Sequence, residues 1–199
     1  FSMAQAQRSP QADKVIKQSK AKYDGLKDLQ ASFVYTLSNP NLKKPIVKKG
    51  HITLKDNKYR VKFSDEEMYC DGKYVWVKLN EDEEIIKSDF EPDGSTSPDR
   101  LYKIFEEDSK TRYDGEESGA HKVTVFSNDD KAEVWKSEIW ISKSSKLIDR
   151  AVMHGRNGSQ YEYKMSELKL NSNVADDVFR LNEAEFEAND WIITDQSEG

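Results

Sequence analysis

Cysteine is almost absent from this chain of 199 residues: Cys70 stands alone, so no intramolecular disulfide can brace the fold. Histidine is scarce as well, and His51, His121 and His154 lie far apart, with no HExxH or other ligand spacing. No GxSxG, GxGxxG or GxxxxGK[ST] segment occurs, which removes the common nucleophile-elbow and phosphate-cradling readings. No apolar run approaches the ~18 residues that a membrane-spanning helix requires. Long Lys/Arg blocks are missing too, and the formal charge is -6, which argues against binding nucleic acid through its phosphates. What remains is a strongly charged chain (34% Asp, Glu, Lys and Arg) with 36% hydrophobic and 11% aromatic residues. Disorder depletes aromatics, so this composition predicts one folded, well-cored domain.

Those aromatics sit in a pattern. From Ser9 to Gly25 the stripe Ala12, Val15, Ile16, Ser19 and Tyr23 has helical spacing, with Pro10 in the first turn and Gly25 after the last. The stripe is narrow and the other face is rich in lysine, so the helix is expected to lie across something apolar. The period then changes to two. Leu29, Ala31, Phe33, Tyr35 and Leu37 alternate with polar residues, as do Ile52 and Leu54, then Tyr59, Val61 and Phe63. Turns are signalled at Asp56-Asn57, Asp71-Gly72 and Asn157-Gly158. Further strands are predicted over 73–79, 85–86, 122–127, 133–142, 146–154 and 159–170, with a closing edge strand over 191–194. Between them, Ser97 caps a short amphipathic helix beginning at Pro98 and carrying Leu101, Ile104 and Phe105.

A sheet of nine to eleven strands with one apolar face must hide that face, and two small helices cannot fill a large barrel. The prediction is a mainly β fold with two short helical segments: an incomplete antiparallel barrel, a half-barrel, with a helical lid. Its interior can hold a ligand or can simply be packed by Phe33, Tyr35, Tyr59, Phe63, Met153 and Met165; periodicity leaves both readings open. Trp76 and Trp140 share faces with charged neighbours and are expected outside or at a rim.

Signals for catalysis are poor. Cys70 lacks a nameable base, so a structural thiol is expected, and no catalytic residue, metal ligand or cofactor is assigned. Glu81–Glu84 and Asp176-Asp177 read as solvated turns. Lys43, Lys44, Lys48 and Lys49 read as a solvated hairpin loop or as a docking patch for an acidic partner. At the start, Ala4-Gln5-Ala6 fits the small-x-small pattern before a signal-peptidase cut, although chance or vector-derived residues give the same triplet. Residues 1–8 are accordingly set apart from one domain over 9–199, and export is expected.

A series of short motifs, in order, then resembles the LolA-type periplasmic outer-membrane lipoprotein carriers. The series runs Tyr23-x-x-Leu26, Leu29-x-Ala31-x-Phe33, Gly50 to Arg60, Cys70-Asp71-Gly72-Lys73-Tyr74-Val75-Trp76, Pro98-x-x-Leu101, Ile139-x-Ile141, Leu147-Ile148, Ser159-x-Tyr161-x-Tyr163, Asn171 and Asp176-Asp177-x-Phe179. The resemblance covers most of the chain and implies a non-enzymatic, monomeric carrier in the periplasm. Such a carrier takes acylated lipoproteins from an inner-membrane ABC transporter and hands them to an outer-membrane receptor. The acyl cavity it implies would be lined by Phe33, Tyr35, Leu37, Leu54, Tyr59, Val61, Phe63, Val75, Val77, Ile139, Ile141, Met153, Tyr161 and Tyr163, beneath a lid of Val15, Ile16, Leu101, Ile104 and Phe105. Familiar members hold the lid with a basic residue before a proline. Here that position falls on Lys55 or Asp56 and the proline is missing, so Lys55 is the only candidate latch and lacks arginine's forked geometry. An alternative within the fold is a lipid-sensing or regulatory envelope protein.

Overall fold

Among the described residues, side chains that mostly alternate form twelve strands. The structure, a computed structural model, describes residues 9–91 and 109–198. A first helix, α1 (Pro10–Asp24), is followed by β1 (Leu29–Ser38), β2 (Ile46–Lys55), β3 (Lys58–Lys62), β4 (Glu66–Cys70), β5 (Tyr74–Leu79) and β6 (Glu84–Asp89). Then come β7 (Lys110–Glu117), β8 (Ala120–Phe126), β9 (Val134–Ser142), β10 (Ile148–Gly155) and β11 (Gln160–Leu170). A 3-10 turn (Asp176–Phe179), a short helix α2 (Glu183–Glu187) and β12 (Ile192–Asp195) finish the chain. The strands hydrogen-bond in the order β12-β6-β5-β4-β3-β2-β1-β11-β10-β9-β8-β7, so the sheet is open, with β12 and β7 at its ends. The mainly β class and the unclosed sheet of an incomplete barrel are therefore present. β12 joins β6 in parallel. Among the described residues no helix is long and apolar enough to cross a membrane.

Turn chemistry sets the hairpins. Gly72 has φ +90, and a Cβ there would stand 2.8 Å from the side chain of Asn57, so the Asp71-Gly72 turn needs glycine on both counts. Asp71 accepts from the backbone N–H of Lys73 and Tyr74, which fixes the entry to β5.

The chain forms two compact units, each taken by itself. The first contains residues 9–25, 34–47 and 109–166; the second contains 26–33, 48–91 and 167–198. In the first, α1 begins at Ser9, whose hydroxyl accepts from the Ala12 N–H, with Pro10 in the first turn. Its buried residues Ala12, Val15 and Ile16 pack on Val123, Val125, Ile139, Ile141, Ile148 and Ala151 of β8, β9 and β10. Both helix ends are tied down. Thr111 donates to Asp13 at 3.0 Å, and the Ile148 N–H donates to the Tyr23 hydroxyl at 3.0 Å.

In the second unit the far end of the chain crosses one face of the sheet. Leu181, Phe186, Trp191 and Ile193 gather over Tyr69, Trp76 and Ile85. Trp76 donates its indole N–H to Glu183 at 3.0 Å. Asp28, buried at the start of β1, accepts from the N–H groups of Ser172 and Val174 and so directs the chain out of β11.

Candidate functional site

The registers show which side chains share a face. In the second unit Leu54 lies opposite Tyr59, Tyr59 opposite Cys70, and Cys70 opposite Val75. The next rung runs Ile52, Val61, Met68, Val77 and Ile86. Residues opposite in register point to the same side of a sheet. Leu54, Tyr59, Val61, Phe63, Val75 and Val77 therefore share one face, and Met68, Cys70, Leu79 and Ile86 join them. The Phe33 and Phe63 rings meet edge to face at 5.4 Å, and the Phe33 ring covers Gly50, where a Cβ would fall 2.4 Å from it. Tyr59 and Val61 are buried, whereas Leu54, Phe63, Met68, Val75, Val77, Leu79 and Ile86 are half-exposed. The described residues of this unit leave that apolar face partly accessible.

In the first unit Tyr163 lies opposite Ala151 and Ala151 opposite Ile139; Tyr161 lies opposite Met153. Tyr35 joins this group, its ring 5.1 Å from that of Tyr163. Tyr35, Leu37, Met153, Tyr161 and Tyr163 are half-exposed. Ile139 and Ile141 differ from them: at 0% and 1% exposure they are the floor of a packed core beneath Val15 and Ile16. An apolar chain reaches them only if α1 lifts. The buried face of α1 also carries Ser19, whose hydroxyl finds no hydrogen-bond partner among the described residues. A buried hydroxyl without a partner costs roughly 1–3 kcal/mol, so this helix is held less firmly than its apolar contacts alone would hold it. The remaining lid residues, Leu101, Ile104 and Phe105, lie outside the described residues, as do residues 1–8.

Lys55, the candidate latch, has partners in the C-terminal segment. Lys55 bonds Asp176 at 2.6 Å and the Val174 carbonyl at 2.8 Å, and Lys58 reaches the same carboxylate at 2.8 Å. Hydrogen bonds from the two lysines hold the Asp176 carboxyl at about 2. Asp176 is exposed in a 3-10 turn, as expected, and also anchors the C-terminal segment, a role its neighbours in sequence do not reveal.

The opposite face carries the charges. In the second unit Glu67 accepts from Arg60 at 2.8 Å and from the Tyr69 hydroxyl at 2.9 Å. Burial raises the Tyr69 phenol, reinforced by that hydrogen bond, to about 12. In the first unit a groove of about 380 Å³ is lined by residues that include Glu117, Lys122, Glu138, Trp140, Arg150 and Glu162. Burial alone would raise the Glu138 carboxyl, but hydrogen bonds from Lys122 and His154 and the charge of Lys136 outweigh it and hold it at about 2. Trp140 lies between Lys122 and Arg150, 4.7 and 4.3 Å from its ring centroid, and donates to Glu117. Trp76 and Trp140 do sit away from the apolar face, but both are buried, under the C-terminal segment and among these charges. The groove's ions are engaged with one another.

One trio has the composition of a hydrolase triad. The Ser32 hydroxyl donates to Glu167 at 2.6 Å and lies 3.5 Å from His51 Nδ1. The carboxylate is on the serine, not behind the histidine, so among the described residues no carboxylate orients the imidazole as a base. Cys70 is buried with its thiol directed at the Asn57 carbonyl. Among the described residues no His, Cys, Asp or Glu group is arranged to hold a metal.

The family model for the outer membrane lipoprotein carrier protein LolA matches residues 24–182. No curated protein matches the chain in sequence. Among solved structures, it is similar to an uncharacterized conserved protein from Thermus thermophilus, with a TM-score of 0.62 and 14% identity over 94% of this chain and 99% of that one. It is similar also to the lipoprotein LppX of Mycobacterium tuberculosis, with a TM-score of 0.52 and 18% identity over 84% and 98%. A DUF1329 family protein from Desulfovibrio piger follows, with a TM-score of 0.51 and 11% identity over 87% and 98%. At such identities these likenesses establish the fold.

Proposed function

The chain belongs to the LolA family of outer membrane lipoprotein carrier proteins, and from that premise we propose that it shelters lipoprotein acyl chains on the apolar face of its sheet while they cross the periplasm. One observation carries the reading. Leu54, Phe63, Met68, Val75, Val77 and Ile86 form a contiguous half-exposed apolar surface, while the C-terminal segment of the same unit seals the other face. A contiguous apolar surface whose side chains stay partly accessible is suited to binding an apolar ligand. Acyl chains need one, because each CH₂ left in water costs about 0.8 kcal/mol. In the first unit, helix α1, whose Val15 and Ile16 cover Ile139 and Ile141 and whose Ser19 is unsatisfied, serves as a lid over that unit's own apolar core. The carrier is monomeric, takes cargo from an inner-membrane ABC transporter and passes it to an outer-membrane receptor; no step requires a catalytic group or cofactor.

Native mass spectrometry of delipidated protein with a synthetic triacylated lipopeptide tests the reading. A one-to-one complex tighter than about 100 µM, the strength with which a single myristoyl chain partitions into membrane, is expected. Phe63→Glu or Val77→Glu should abolish it while the circular-dichroism spectrum is kept. Absence of any complex, or binding indifferent to both substitutions, would sink it.

A further inference from the structure

We propose that the β1–β2 hairpin is a membrane-adhering finger that binds an anionic phospholipid surface, independently of what the sheet carries. Among the described residues, three of the five exposed large hydrophobics fall in this one short stretch: Leu42 at 38%, Ile46 at 42% and Val47 at 59%. Ile46 and Val47 are consecutive in β2, so their side chains point to opposite sides of the strand. Both are exposed, so the end of the hairpin stands clear on both sides. A protein partner covers one face; a lipid interface surrounds a projecting tip from every side.

Charge points to the same occupant. Residues 39–49 contain four lysines and no carboxylate in a chain of net charge -6. Lys48 pairs with Asp65 at 2.7 Å. Lys43, Lys44 and Lys49 are exposed and make no ion pair among the described residues. A chain of this overall charge is repelled by an anionic bilayer, so adhesion requires a local basic site with apolar side chains able to enter the headgroup boundary. The finger is held from its base. Asn39 donates to the Ser159 hydroxyl at 2.7 Å, its own side chain accepts from the Asn41 N–H at 2.8 Å, and Pro40 packs over Gly158.

Cosedimentation of the purified chain, free of cargo, with vesicles of phosphatidylglycerol and phosphatidylcholine provides the test. Binding to the mixed vesicles and not to pure phosphatidylcholine is expected, weakening as salt is raised. The double variant K43E/K44E should lose about twentyfold or more in affinity, at roughly fivefold per lysine near the surface. The triple variant L42S/I46S/V47S should lose roughly tenfold at unchanged charge. The exposed α1 variant Lys20→Glu should bind as the parent does, and both hairpin variants should keep their fold and their lipopeptide binding. Equal binding to neutral vesicles, no binding to either kind, or full retention by the triple variant would each overturn the proposal. So would capture by immobilised polyglutamate without vesicle binding, which would assign the lysines to an acidic protein. Because no cargo is added, failure here is separable from failure of the acyl-binding reading.

Discussion

At the scale of single residues, the charged side chains of this chain are spent on organising one face of the sheet, and Glu138 shows how. It sits between Lys122 at 2.9 Å, His154 at 2.7 Å and Lys136 at 3.4 Å, and its carboxyl is held at about 2. A carboxylate whose value is depressed in the folded state stabilises the protein above its unfolded value and ceases to do so as pH falls through the folded one. Glu138→Gln is therefore expected to lower stability at pH 7 by about 1–2 kcal/mol, after allowance for solvent screening. The gap between the two proteins should close as pH falls from about 4.5 to about 2. Urea unfolding of both at a series of pH values checks this. A gap independent of pH would mean that Glu138 acts by packing alone. None of this was readable from the sequence, because Lys122, Glu138 and His154 come together only through the registers of β8, β9 and β10.

Elements were legible where periodicity is strong and illegible where it is short. The stripe Ala12, Val15, Ile16 and Ser19 marks α1 to within a residue, and Asn157-Gly158 marks the β10–β11 turn, Gly158 taking φ +81. Strand β4 is legible only at its end, where Cys70 precedes the Asp71-Gly72 turn, because it is five residues long and opens on two glutamates, although Met68 and Cys70 alternate within it. Met68 therefore does not stand out as a lining residue. Strand β7, with Arg112, Asp114 and two glutamates, has almost no apolar alternation and is a strand because it pairs with β8. The ties of Asp176 to Lys58 and of α2 to Trp76 leave no local signal, since these partners lie more than a hundred residues away. The helix itself gives the prediction at this scale. Replacing Ser19 with alanine removes a buried hydroxyl without a partner and leaves the surrounding shape almost unchanged. The variant should gain roughly 1–2 kcal/mol in urea unfolding and take up a fluorescent fatty acid more slowly in stopped flow, since α1 now lifts less readily. A loss of stability would show that the hydroxyl is satisfied, and an unchanged uptake rate would show that α1 is no lid.

At the scale of the whole molecule, the sheet has two faces with different tasks, and the second unit separates them cleanly. One face is closed by the C-terminal segment: Trp76, only 1% exposed, Tyr69 and Ile85 meet Leu181, and Lys87 bridges Glu183 and Asp195. The other face carries Leu54, Phe63, Met68, Val75 and Val77, each left half-exposed. Stability and binding should therefore respond to different substitutions. Trp76→Ala empties the closed face and is expected to cost about 3–5 kcal/mol, as large-to-small core changes do, yet the fraction that stays folded should bind the lipopeptide with parental affinity. Val77→Glu, one residue along the same strand but on the opposite face, should leave the unfolding midpoint within about 1 kcal/mol of the parent and abolish binding. Paired urea-unfolding curves and lipopeptide titrations of the two variants decide the matter: if Trp76→Ala weakens binding by the folded fraction, or if Val77→Glu unfolds the chain, the two faces are not functionally distinct and the sheet is a packed core on both sides.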